Sequence, residues 1–180
     1  MLIRCIPVTE DKHATDIVRM GRAQHAEFLH TRMIDPKAAY INCLRFMKDP
    51  LRLWVNAWVL YDNDTPIGYF IGKVSQSFFS NQKYAVQDAW FVLKKYRGTR
   101  AGFKLLEAFE RWADARGCEA RYLTIENAYM PEHVERHARL MELLGYKVQG
   151  YIAVKQPTTA QEEVSNDPVA HRALGVEARA

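Results

Sequence analysis

Two hydrophobic periods alternate along the chain, and the switches between them outline a domain. Residues 2–8 (LIRCIPV) read as a short strand. Across 11–29, apolar residues recur every three or four positions, at Ile17, Val18, Met20, Ala23, Ala26, Phe28 and Leu29, the spacing of one helix face. Asp35 before Pro36 predicts a second helix start. The aspartate accepts from the orphan N–H groups, and the fixed φ of proline suits the first helical position. That helix should stop near Lys48-Asp49-Pro50, because proline disfavours helical geometry in the residue before it.

From residue 53 the period shortens. LWVNAWVLY, PIGYFIGKV and YAVQDAWFVL are rich in β-branched and aromatic residues, and turn-forming or polar segments separate them. Consecutive strands on short loops imply an antiparallel meander. KKYRGTRAG breaks the third strand, and Gly102, Leu105, Leu106, Phe109, Trp112 and Ala113 then mark an amphipathic helix that Gly117 stops. RYLTIEN reads as a strand. Pro131 opens a helix whose stripe is Val134, Ala138, Met141 and Leu144 and whose stop is Gly145, and YKVQGYIAVK supplies a final strand or two. Past Pro157 the chain is polar and weakly periodic. The expected division is a domain over 1–155 and a tail over 156–180, mobile or peripherally packed.

Composition narrows the class. A chain of 180 residues with 48% hydrophobic and 26% charged content suits one globular domain. The cysteines, Cys5, Cys43 and Cys118, are far apart and form no CxxC pair, so no disulfide or metal signature is expected. No basic start followed by a long apolar core is present, and apolar runs fall short of the ~20 residues that span a bilayer. The expectation is a cytoplasmic protein with no membrane partner. A net charge of +4 weakly favours anionic ligands. The basic residues are scattered among acids rather than gathered on one helix, which argues against nucleic acid despite a pI near 9.0.

The chemistry concentrates between Val92 and Lys104, VLKKYRGTRAGFK. Gly98 permits a tight turn and close backbone approach. The first N–H groups of the following helix have no internal acceptor, and the helix dipole makes that end positive. Arg97, Arg100 and Lys104 add formal charge. Together these predict a phosphate site, best suited to a diphosphate. No GK[ST] follows, so it is not a P-loop, and the glycine spacing fails the dinucleotide fingerprint.

The element order, with WFVLKKYRGTRAGFKLLEAFERWA and later RLMELLGYKVQGYIAVK, resembles the GNAT superfamily of N-acetyltransferases over roughly residues 1–155. The resemblance implies an α+β fold: a mixed, mostly antiparallel sheet of about six or seven strands, flanked by about four helices in three layers, with a splayed strand pair forming an acyl-CoA cleft. It implies an acetyl-CoA-dependent N-acetyltransferase with no metal. The acceptor would be an amine of a small molecule, of a protein or of a modified base. Trp90, Phe91 and Val92 would pair with the pantetheine arm, and the backbone of Arg97, Gly98, Thr99, Arg100, Ala101, Gly102 and Phe103 would hold the diphosphate. Arg100 stands where the family usually has its middle glycine, and Lys94 replaces the usual proline.

The resemblance also carries the catalytic candidates. Asp88 and Glu126 are the candidate bases, and alternation places Asp88 on the strand face of Trp90 and Val92. The strand amide near Phe91 or Val92 is the candidate oxyanion donor. The family's usual acidic tyrosine falls on Met141 and its usual asparagine on Val134, which leaves Tyr129, His133, His137, Tyr146 or Tyr151 to substitute. A thiol with a pKa of ~8.5 also leaves tolerably without an acid. The acceptor would lie against Glu27, His30, Arg32, Asp35, Tyr40, Phe78 and Phe79. Many relatives form homodimers, and RYLTIENAYM would supply the dimer edge strand. A GNAT-like binding protein that has lost catalysis is the alternative reading.

Overall fold

The computed structural model describes residues 2–28, 35–48, 53–124 and 134–149. Its elements follow the predicted order: β1 (Ile3–Pro7), α1 (Asp11–Phe28), α2 (Pro36–Met47), β2 (Val55–Asp62), β3 (Thr65–Gln76), β4 (Lys83–Val92), α3 (Ala101–Ala115), β5 (Cys118–Tyr122) and α4 (Val134–Leu143). Local chemistry sets the boundaries. Asp35 accepts from Lys37 N at 2.9 Å and Ala38 N at 3.1 Å, so the predicted cap forms and Pro36 stands first in α2. Gly117, at φ +68°, ends α3 in the left-handed region.

The strands form one sheet in the order β1-β2-β3-β4-β5. All pairs are antiparallel except β4–β5, which is parallel. The sheet is mixed and mostly antiparallel as expected, but among the described residues it has five strands. Residues 146–149 are not strand, and the continuation from 150, with the tail, lies outside the described residues. β5 also starts three residues earlier than RYLTIEN suggests, at Cys118.

Alternation divides the core between the two faces. Val59, Tyr69, Ile71, Ala89 and Phe91 pack with Ile17, Met20 and Cys43 of α1 and α2. On the other face Phe70 stacks on Phe109 of α3 with ring centroids 4.7 Å apart, and Trp58 meets Trp112 edge-on at 5.7 Å. Gly72 lets α3 come this close, since a Cβ there would lie 2.6 Å from Phe109 Cδ2.

The chain separates into two units, Met1–Glu135 and Arg136–Ala180. In the second, α4 ends as LLGY predicts. Gly145 has φ +86°, and Tyr146 N donates back to Met141 O at 2.9 Å, closing a Schellman cap.

Candidate active site

The turn from β4 to α3 is built by short-range bonds. Tyr96 N donates to Leu93 O at 2.8 Å and Arg97 N to Lys94 O at 3.2 Å, making a 3-10 turn over Lys94–Tyr96. The Tyr96 hydroxyl donates to Asp62 at 3.0 Å and ties the turn to the end of β2. Gly98 follows at φ +75°, a conformation that costs a residue with a Cβ about 1–2 kcal/mol. The Thr99 hydroxyl donates to Tyr96 O at 2.7 Å and accepts from Ala101 N at 3.2 Å, which fastens the turn to the helix start.

This arrangement leaves donors uncommitted. The first backbone bond of α3 runs from Lys104 N to Arg100 O at 3.2 Å. Among the described residues, no acceptor meets the N–H groups of Gly98, Thr99, Arg100, Gly102 or Phe103. They stand at the positive end of a 15-residue helix. Arg100 is exposed and in no ion pair among the described residues. The indole of Trp90 packs beside Gly102, where a Cβ would sit 3.4 Å from Trp90 Cζ2.

The edge of β4 opens toward this turn. The β4–β5 ladder starts at Lys83↔Cys118 and stops at Val86↔Tyr122, so Gln87–Val92 runs on with no described β5 partner. Strand alternation then decides which amides face that opening. Leu93 N donates to Ile67 O at 2.9 Å, and the register pairs Phe91 with Tyr69 and Ala89 with Ile71. In an antiparallel ladder the bonded pairs alternate, so Phe91 and Ala89 turn their backbone polar groups to β3 while Trp90 and Val92 turn theirs outward. Val92 O fits this, since it accepts from Arg97 Nε at 2.8 Å. Of the expected trio, Trp90 and Val92 therefore present backbone to the cleft, and Phe91 does not. Of the two amides expected as oxyanion donors, Phe91 and Val92, that of Val92 faces outward.

Arg97 was expected to contribute charge to the phosphate site. Its guanidinium is committed within the protein, donating to both carboxylate oxygens of Glu27 at 2.5 and 2.8 Å and lying 5.5 Å from the Phe91 ring centroid. It straps α1 to the turn. Lys104 is exposed on α3, and its charge reaches Cys5 on β1. Burial nevertheless dominates there and pushes the Cys5 thiol up to about 12.

Asp88 also lies elsewhere than alternation implies. The β3–β4 register shifts between Ile71 and Gly72, pairing Ala89 with Ile71 but Gln87 with Gly72, so Asp88 is the extra residue of a β-bulge. It receives the Lys73 ammonium, and its charge helps raise the Tyr69 hydroxyl. Both partners stand on the face packed by α1 and α2, so Asp88 joins that face rather than the one carrying Trp90. The Tyr69 hydroxyl donates to Gln24 of α1. Burial first, then the charges of Asp88 and Cys43, pushes it up to about 12. Gln24, Tyr69 and Lys73 were not singled out in the sequence. For Tyr69 and Lys73 the visible signal was the spacing Tyr69-x-Ile71-x-Lys73, which puts them on one strand face.

The remaining candidates are scattered. Glu27 is held by Arg97, Asp35 caps α2, and Tyr40 packs on the core. Phe78 and Phe79 are each 93% exposed, in the loop before β4 and so at the opposite end of that strand from the turn. A separate cleft of 210 Å³ lined by Trp54, Val74, Lys83 and Arg116 lies at that same far end. Glu126, Tyr129, His30, Arg32, His133 and Tyr151 lie outside the described residues. Among the described residues, no His, Cys, Asp and Glu cluster is arranged to hold a metal ion, and no helix is long and apolar enough to cross a membrane.

A model of the acetyltransferase (GNAT) family matches residues 17–141. No curated protein sequence matches the chain. Solved structures do match by shape. An aminoglycoside N-acetyltransferase, AAC(6')-Iy, in complex with CoA has a TM-score of 0.67 at 11% identity, covering 88% of this chain and 96% of that one. A ribosomal-protein-alanine N-acetyltransferase from Brucella melitensis scores 0.62 at 15% identity, covering 86% and 99%. Glucosamine-6-phosphate N-acetyltransferase from Arabidopsis thaliana scores 0.63 at 14% identity, covering 86% and 97%. At such identities the likeness is one of fold.

Proposed function

The chain belongs to the acetyltransferase (GNAT) family, and from that membership we propose that it moves an acetyl group from acetyl-CoA to a primary amine by direct attack in a ternary complex. One observation carries the reading: a row of uncommitted amides, Gly98 to Phe103, stands at the foot of an opened strand edge. Those amides and the helix dipole suit the diphosphate of coenzyme A, and Arg100 adds a guanidinium that reaches phosphate oxygens in pairs. The outward amide and carbonyl of Trp90 and the amide of Val92 suit the pantetheine arm, which would lie as an added strand.

On this reading the enzyme works chiefly by juxtaposing two substrates. Val92 N–H donates to the oxyanion as the amine nitrogen bonds to the thioester carbonyl. Asp88 takes the ammonium proton, directly or through a water, and the C–S bond breaks to release the thiolate. Glu126 is the candidate second base and Tyr129 the candidate acid. The catalytic domain spans 1–155, with 156–180 as a tail. The structural neighbours are named for acceptors as different as an aminoglycoside, a ribosomal-protein alanine and an amino-sugar phosphate, and an amine is what these share.

Thiol release from acetyl-CoA, followed with a panel of amines, peptides and nucleosides, tests the reading. Amine-dependent release supports it. Absence of acetyl-CoA binding at millimolar ligand contradicts it.

A further inference from the structure

One ion pair stands at the bulge on the α1/α2 side of the sheet, and a second ties the end of α1 to the turn after β4. Asp88 is held by Lys73, and Glu27 is held by Arg97. Lys73 and Asp88 remain accessible, with side chains 50% and 42% exposed, whereas Ile71 and Ala89 beside them pack against the core. The bulge puts both charges on one face, so an incoming molecule meets them together.

This pairing restricts what Asp88 can receive. A simple ammonium would have to displace Lys73 from the carboxylate and then lie beside it, two like charges at short range. A polycation would meet the same repulsion. An amine that brings its own anion meets no such conflict. Its ammonium goes to Asp88 and its anion to Lys73, so each charge keeps an opposite partner.

We propose that Lys73 is a specificity-determining residue that selects acceptor amines carrying an anion, carboxylate or phosphate, two to four bonds from the nitrogen. This rests on the transferase reading and narrows its acceptor class. Lys73 binds the anion of the acceptor while Asp88 receives its ammonium.

Matched acceptors test it: L-phenylalanine against its amide, O-phosphoethanolamine against ethanolamine, and spermidine as a polycation. Calorimetry on the CoA-saturated full chain reads acceptor affinity, and thiol release reads kcat/KM. The wild type is expected to favour each anion-bearing member at least fivefold. Lys73→Gln should reduce that preference to within twofold, weakening the anion-bearing members and strengthening the amide and ethanolamine, and Lys73→Arg should restore it. The phenylalanine and phosphoethanolamine pairs separate carboxylate from phosphate recognition. Unchanged melting temperatures and unchanged acetyl-CoA affinity in both variants show that the fold and the donor site are intact. Normal acetyl-CoA binding with no preference for anions, a preference that survives Lys73→Gln, or a preference for spermidine overturns the proposal and leaves the transferase reading standing. Loss of acetyl-CoA binding in the wild type removes both.

Discussion

Arg97 grips both carboxylate oxygens of Glu27, 70 residues away in sequence, while its Nε holds the carbonyl of Val92 at 2.8 Å. One side chain thereby fixes the end of α1, the edge of β4 and the turn into α3. The pair is partly exposed, so its electrostatic worth is that of a well-oriented surface bridge, about 1 kcal/mol. Glu27→Gln and Arg97→Gln, with the double variant, should give a coupling energy of about 1 kcal/mol in denaturant unfolding. Arg97→Gln should also raise the KM for acetyl-CoA severalfold with a smaller change in kcat, because it loosens the Val92 backbone. Equal loss in both parameters would contradict a positioning role.

The glycines of the turn should separate stability from binding. Gly98→Ala meets no atom within 4 Å but takes a positive φ, and it should destabilise by about 1 kcal/mol. Gly102→Ala places a Cβ at ordinary contact distance from Trp90 in the first turn of a helix, so the melting temperature should hold or rise. Its added methyl crowds the approach to the amides, and acetyl-CoA affinity should fall about tenfold. Thermal melts and calorimetry on both variants check the contrast.

In the proposed mechanism Asp88 takes the acceptor's proton. Asp88→Asn should keep acetyl-CoA affinity and lower kcat at least about a hundredfold at neutral pH, in line with loss of a general base. An unchanged kcat would move the role to Glu126 or favour the reading in which catalysis has been lost.

How much of this was legible beforehand follows from range. The Asp35–Pro36 start of α2, the β2–β4 meander and the Gly117 stop depend on neighbours a few residues apart, and all three form as the spacing predicts. The turn between β4 and α3 was legible for the same reason. The face of Asp88 was not, because strict alternation assumes an unbroken ladder and the bulge inserts one residue. The true partner of Arg97 was not legible either, since nothing local links it to Glu27. Strand directionality, rather than side-chain pattern, decided that Val92 and not Phe91 offers its amide to the cleft.

Alkaline pH should weaken the fold. Burial pushes Cys43 from 9.0 up to about 11, and burial with nearby negative charge pushes Tyr69 from 10.0 up to about 12. Below about pH 8 both groups are protonated in folded and unfolded chains alike. As pH rises beyond that, the unfolded chain releases these protons first, so it binds fewer and stability falls, by at most about 1.4 kcal/mol per pH unit for each group. Melting temperatures should drop between pH 9 and 11. Cys43→Ala, less stable at pH 7, should show a shallower drop over that range; an identical slope would contradict the assignment.

The central claim is that the turn amides and the outward edge of β4 hold coenzyme A. An amide NMR titration of the full chain with CoA tests it residue by residue. Saturable shifts are expected, largest at Gly98, Thr99, Arg100, Gly102 and Phe103 and accompanied by Trp90 and Val92, with Phe91 and Ala89 moving little. Saturating CoA that leaves the Gly98–Phe103 amides unmoved would contradict it.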